Sequence, residues 1–238
     1  MSMLINPYVF AAAGGGGGVS TPDDVAGLIL WLDADAITGL SDTDPVSIWA
    51  DRSASGYDAT ASSTARPTYR TGQINGKPAL DFVDGAGNRL NISMSETSGN
   101  WTWFFVIDSD TNAAAYRYMY DASSGRLVLA QLANNNDSPG WYDGTWRISP
   151  STGTTGVQVL EYNLASGAGE LYRDRTSILS SGYTQRALGG TQRIGSSYSD
   201  NNYFNGRMAE VVVYNSALGT TDRDTIYTYL NDKYGFTL

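Results

Sequence analysis

Trp101-Thr102-Trp103-Phe104-Phe105-Val106-Ile107 is the stretch that decides the fold. Aromatic and β-branched residues dominate it, and such residues fit a pleated strand better than a helix. Working outward, Leu28-Ile29-Leu30-Trp31-Leu32 is a continuous apolar run suited to a strand buried on both faces. Lys77 to Val83, Val157 to Tyr162 and Met208 to Tyr214 repeat the theme. Between these runs lie Asn75-Gly76, Asp84-Gly85, Ser124-Gly125, Asp143-Gly144, Ser166-Gly167 and Asn205-Gly206. Such pairs supply positive φ for tight turns, so many short strands joined by hairpins are expected. That pattern means a sandwich or a barrel. One helix is expected near the end. Thr221 caps it, acids fill its first turn, and Ile226, Tyr229, Leu230 and Tyr234 follow helical spacing up to Gly235. Its Ile226/Leu230 stripe is expected to pack on the sandwich edge.

Composition removes several classes of function. The 238 residues contain no Cys and no His. Disulfides, thiolate metal sites, cysteine nucleophiles, Ser-His-Asp triads and imidazole metal sites are therefore excluded. The formal charge of −9 repels phosphate backbones, and only Lys77 and Lys233 supply ammonium groups, so no nucleic-acid partner is expected. The longest apolar runs have the length of strands, so no membrane partner is expected either. The first basic residue is Arg52, and Asn6-Pro7 interrupts the apolar start, which argues against a cleaved signal peptide.

The chain divides into residues 1–24, an N-terminal anchoring arm, and residues 25–238, one sandwich domain. The arm carries Leu4, Ile5, Pro7, Tyr8, Val9 and Phe10, followed by the unbroken glycine tract Gly14 to Gly18. An apolar segment on a flexible glycine hinge is expected to dock on a neighbouring protein chain.

Several segments, in order, carry a family resemblance. They are Gly27 to Ile37 (GLILWLDADAI), Ile48 to Thr60 (IWADRSASGYDAT), Ala65 to Tyr69 (ARPTY), Asn75 to Phe82 (NGKPALDF) and Phe204 to Leu218 (FNGRMAEVVVYNSAL). The chain thus resembles the concanavalin A-like lectin/glucanase superfamily, in the laminin G-like form found in phage virion and bacterial surface proteins. The resemblance implies an all-β, two-sheet antiparallel jelly-roll sandwich, here with an extended N-terminal arm and one short C-terminal helix. It also makes calcium the one candidate ion, with Asp33, Asp35, Asp42 and Asp44 close in sequence; these aspartates equally suit hydrogen bonds to loop backbone, so neither a metal nor a cofactor is assigned.

The glucanase members resemble one another in an E-x-D-x-x-E strand, because glycoside hydrolysis needs two carboxylates at fixed separation. The four glutamates here, Glu96, Glu161, Glu170 and Glu210, show no such spacing, and Asp108 with Asp110 reads as a strand end, so no enzyme is expected. Sugar sites combine aromatic faces with amides and acids. Asn134, Asn135, Asn136, Asp137, Trp141 and Tyr142 gather these groups in one turn-rich stretch, and Asp200 with Tyr203 forms a second. Trp141 and Trp146 also suit a sandwich interior. Tyr116, Tyr118 and Tyr120 alternate along one strand face, where sheet packing is the expected role. The expected protein is a non-enzymatic virion surface component, a decoration or appendage protein. Its arm binds other virion or surface-assembly chains, and its sandwich binds host glycan, in a homo-oligomer or larger assembly. The alternative is a secreted carbohydrate-binding module of the extracellular space or bacterial surface, with a glycoside hydrolase behind it.

Overall fold

A computed structural model describes residues 20–110, 116–132, 138–150 and 155–238. The arm positions Leu4, Ile5, Pro7, Tyr8, Val9 and Phe10, and the site positions Asn134, Asn135, Asn136 and Asp137, lie outside the described residues.

The described residues form two antiparallel sheets and one helix. The first sheet runs in the order β14 (Thr176–Ser181), β13 (Ala168–Arg173), β12 (Gly156–Ala165), β7 (Trp101–Ser109), β16 (Gly206–Tyr214), β5 (Lys77–Phe82) and β4 (Thr68–Ile74). β1 (Leu28–Asp33) lies beside the second half of β16, where Asp33 faces Glu210, while β5 takes the first half. The second sheet runs β11 (Trp146–Ile148), β10 (Gly140–Tyr142), β9 (Val128–Leu132), β8 (Arg117–Ser124), β15 (Gly189–Ile194), β6 (Leu90–Ile92), β3 (Ala59–Thr60) and β2 (Ile48–Trp49). This is the two-sheet jelly-roll sandwich that the resemblance implies, and it resolves the choice between sandwich and barrel that the strand pattern leaves open.

The deciding run becomes β7, at the centre of the first sheet. Trp103, Phe105 and Ile107 point into the core between the sheets, with Trp49, Leu80, Tyr120, Leu129, Tyr162 and Val211. Phe104 and Val106 point the other way and are also buried. They need a second cover, and the helix α1 (Thr220–Tyr234) supplies it. Ile226, Tyr227, Leu230 and Tyr234 pack on Trp31, Phe104, Val106, Val212 and Tyr214. The helix thus lies across the sheet's face and not on the sandwich edge, because this sheet is apolar on both sides.

Two buried carboxylates pin the helix. Glu161 on β12 accepts hydrogen bonds from Arg223 and from the Tyr227 hydroxyl. Glu210 on β16 accepts from Trp31 Nε1 at 2.6 Å, Tyr229 at 2.7 Å, Tyr234 at 2.8 Å and Lys233 Nζ at 2.9 Å. Lys233 also pairs with Asp33 at 2.6 Å, and Asp33 with Arg52 at 2.5 Å. Burial pushes both glutamate pKa values up, and the neighbouring cations hold them down. Gly235 ends the helix in the left-handed conformation, φ 66°.

Residues just before the boundary at 24 already touch the sandwich. Pro22 is buried, and its carbonyl accepts a 2.8 Å hydrogen bond from Tyr214. Residues 22–24 therefore belong to the sandwich.

Candidate functional site on the open sheet

Among the described residues, no helix lies over the outer face of the second sheet. Residues directly opposed in register share a face. Trp146 opposes Tyr142, Tyr142 opposes Val128, and Val128 opposes Asp121. Arg193, Asn91, Thr60 and Ile48 continue the row across the remaining strands. One end of this outer face is aromatic and the middle is polar.

The aromatic end is a connected cluster. Trp146 lies 5.5 Å from Tyr142, 5.9 Å from Tyr118 and 5.2 Å from Tyr116 between ring centroids, and its ring is nearly parallel to that of Tyr116. Val128 and Ala130 form its floor. Tyr116 is exposed, while Tyr142 and Trp146 are half-buried. Burial pushes the Tyr118 hydroxyl up to about 12, so it stays a neutral donor across the physiological range.

A segment from Gly195 to Tyr203 borders the cluster. Gly195 N–H donates to the Met119 carbonyl at 2.9 Å, and Tyr118 N–H donates to that of Asn202 at 3.0 Å. Asp200 and Asn202 adopt positive φ, which short polar side chains tolerate. The segment brings Tyr198 against Arg126, whose guanidinium lies 5.0 Å from the Tyr198 ring and 5.6 Å from the Tyr142 ring. Beneath sits Asp121, with no exposed surface. Its Oδ2 accepts from Arg126 Nη2 at 3.4 Å and from the Tyr198 N–H at 3.3 Å. Asp121 Oδ1 and Arg126 Nε are buried without a hydrogen-bond partner. Burial pushes the Asp121 carboxyl up to about 6, against the pull of Arg126.

The two sequence-predicted clusters fare differently. Tyr142 belongs to the aromatic face. Trp141 does not: strand alternation turns it inward, and it is fully buried in the core between the sheets. A Cβ on Gly169 would come within 2.7 Å of its ring, so that packing is tight. Asp200 and Tyr203 border the site, but the Asp200 carboxylate is held by Arg89 at 2.5 Å and by Arg193, and the Tyr203 hydroxyl donates to the Asp200 carbonyl at 2.9 Å. Trp146, Arg126, Asp121 and Tyr198 are not among the candidates that the sequence offers, and for Tyr116 and Tyr118 it favours sheet packing over stacking on a ligand. A signal for Trp146 was present, because the hairpin about Asp143-Gly144 pairs it with Tyr142 on one face.

The aspartates considered for calcium have separate partners. Asp35 pairs with Lys77 at 2.9 Å, Asp42 accepts from Thr71 N–H at 2.9 Å, and Asp44 accepts from Ser41 N–H at 2.7 Å. Among the described residues, no three acidic side chains converge as a metal site.

These features define a two-sheet antiparallel jelly-roll sandwich, with one sheet capped by a helix and, among the described residues, no helix over the other. No protein-family model and no curated protein sequence matches the chain. Among solved structures, domain 4 of AbnA, a GH43 extracellular arabinanase from Geobacillus stearothermophilus in complex with arabinotriose, is similar with a TM-score of 0.60 at 15% identity. The match covers 83% of this chain and 97% of that domain. Trypanosoma rangeli sialidase in complex with sialic acid is similar with a TM-score of 0.56 at 17% identity, over 90% of this chain. The match spans 34% of the sialidase chain. At these identities the likeness shows the fold.

Proposed function

We propose that the protein is a non-catalytic carbohydrate-binding sandwich whose glycan site is the aromatic outer face of the open sheet. The observation that carries this is the Tyr116–Tyr118–Tyr142–Trp146 cluster, which lies outside the core on the sheet that no helix covers among the described residues. Ring faces beside a few polar groups are what a sugar requires. The likeness to a domain solved with arabinotriose, and to a sialidase, supports a carbohydrate ligand. The engagement of the carboxylates supports a role without catalysis. Glu161 and Glu210 are bound up in holding the helix, Asp108 accepts from Arg207 at 2.8 Å, and Asp110 accepts from Asn205 at 3.3 Å.

Titration calorimetry against a panel of oligosaccharides tests the reading. The native protein should bind at least one glycan, and Trp146→Ala should weaken that binding tenfold or more, about 1.4 kcal/mol, with an unchanged circular dichroism spectrum. Binding that survives the loss of Trp146 overturns the assignment of the site.

A second reading concerns display. We place the sandwich on a virion or other surface assembly, held by contacts of the apolar arm with neighbouring chains. The support is the apolar Leu4 to Phe10 sequence followed by the glycine tract.

A further inference from the structure

Arg126 is the charged group that the aromatic cluster presents to solvent. It stands on the turn between β8 and β9 with its side chain 39% exposed, and its guanidinium lies between the rings of Tyr142 and Tyr198. One terminal nitrogen, Nη2, donates to Asp121 over a long 3.4 Å. The other, Nη1, is accessible and bonds to no described residue. Asp121 lies beneath with no exposed surface, so it offsets the arginine from inside and is beyond a ligand's reach. The accessible polar groups around the rings are therefore Arg126 Nη1, the Trp146 indole N–H and the hydroxyls of Tyr116, Tyr142 and Tyr198. Guanidinium and indole groups only donate, while tyrosine hydroxyls donate and accept.

A neutral sugar stacked on these rings needs acceptors for its hydroxyl protons, and only the tyrosine hydroxyls can supply them. A sugar that carries a carboxylate fits the donors better. Its ring stacks on the aromatic faces, and its carboxylate accepts charge-assisted hydrogen bonds from Arg126. The bordering charges favour it too. Asp200 is shared by Arg89 and Arg193, so that group of three carries a net positive charge. The chain's overall charge of −9 opposes an acidic ligand only at long range, since physiological salt screens charges beyond about 8 Å. We propose that Arg126 is the specificity-determining residue of the glycan site, selecting sugars that bear a carboxylate over neutral ones. This rests on the aromatic face being the glycan site.

Asp121 sets how strongly Arg126 attracts an anion. Arg126 faces Asp121 from the β8–β9 turn, and the Tyr198 N–H faces it from the bordering segment. Arg193 opposes it on β15, itself paired with Asp200, and Val128 opposite on β9 is apolar. Tyr118 and Tyr120, on its own strand, are pushed up by burial and stay neutral. Above the Asp121 pKa of about 6 its carboxylate offsets the guanidinium. Below it the carboxyl is protonated, and the full charge of Arg126 acts on the ligand. A sugar carboxylate, like other ordinary carboxyls, is still ionised at pH 5. Affinity for acidic sugars should therefore rise as pH falls from 7.5 to 5, while affinity for neutral sugars stays level.

The experiment compares uronic acid oligosaccharides with neutral counterparts of equal length, by calorimetry at pH 7.5 and pH 5. It uses the native protein, Arg126→Met, Asp121→Asn and Trp146→Ala. The native protein should bind the acidic sugars at least tenfold more tightly than the neutral ones at pH 7.5, and several-fold more tightly again at pH 5. Arg126→Met, which keeps the aliphatic stem at a partly exposed position, should lose tenfold or more for acidic sugars, keep its affinity for neutral ones and show no pH step. A loss confined to one class of sugar is not what a merely structural role would produce. The double variant Asp121→Asn/Arg126→Met strands no buried carboxylate; it should behave like Arg126→Met and keeps the test decisive if the single variant misfolds. Asp121→Asn alone should bind acidic sugars at pH 7.5 as tightly as the native protein does at pH 5. Equal or tighter native binding of the neutral sugars overturns the proposal. So does an acidic preference that survives the loss of Arg126, or an affinity for acidic sugars that does not rise at pH 5. In each of these cases, loss of binding in Trp146→Ala leaves the aromatic site standing. If the native protein binds no sugar of either class, the glycan reading itself falls and takes this inference with it.

Discussion

Asp121 is held in the form that the fold least favours. Its pKa of about 6 exceeds the ordinary aspartate value of 3.8, because burial penalises the charged form more than Arg126 relieves it. The folded state therefore binds this proton more tightly than the unfolded chain. Below about pH 4 the carboxyl is neutral in both states and carries no penalty. As pH rises through 6 the folded state must ionise it, and the favourable contribution of the protonated form is lost. A shift of this size corresponds to roughly 3 kcal/mol. Asp121→Asn should accordingly raise stability by about 2–3 kcal/mol at pH 7.5, and the gap should close towards pH 4. Urea unfolding at the two pH values measures it, and an Asn variant less stable than native at pH 7.5 refutes the assignment. Sequence alone could not have singled Asp121 out. It is one of many aspartates, and nothing in Tyr120-Asp121-Ala122 shows that its side chain lies beneath an arginine.

At the scale of elements, the helix depends on charge as much as on apolar contact. Lys233 is one of two lysines in the chain, and it pairs with both Asp33 and Glu210 in a setting that leaves each nearly unexposed. Lys233→Met removes the cation and strands two buried carboxylates, with only Arg52 left beside Asp33. Removing one partner of a buried ion pair costs about 3–5 kcal/mol. The variant should unfold at clearly lower denaturant, with the helix signal lost together with the strands. Retention of native stability would show that the tyrosine hydroxyls suffice for Glu210. The strands and the helix themselves were legible, since their apolar runs, turn pairs and terminal glycine are local signals. What lies over each sheet face was not, because a strand apolar on both faces does not say what covers it. Strand faces also escaped simple alternation. Tyr118 points outward and Tyr120 inward, because the register shifts between them, with Tyr118 opposite Ala130 and Tyr120 opposite Leu129. Counting by twos puts both on one face, so the sequence predicts sheet packing for both.

The whole molecule is asymmetric about its core. The helix closes one sheet, and among the described residues no helix covers the other. On the proposed reading display and binding are separate, provided that the sandwich stands without the arm. The packing supports that condition. Pro22 is buried, Tyr214 bonds its carbonyl, and Val25 joins the apolar layer beneath the helix. Deletion should therefore stop at residue 19, since removing residues 1–24 would also strip this docked turn. A chain lacking residues 1–19 should unfold at the same denaturant concentration and bind the same glycans. It should nonetheless lose association with its neighbours, measured by light scattering after size exclusion and by attachment to stripped particles or cell surface. Unchanged association overturns the anchoring role of Leu4 to Phe10 and leaves the glycan site untouched. Lost glycan binding with intact folding would instead tie the arm to the open sheet, and display and recognition would no longer be separable parts of the chain.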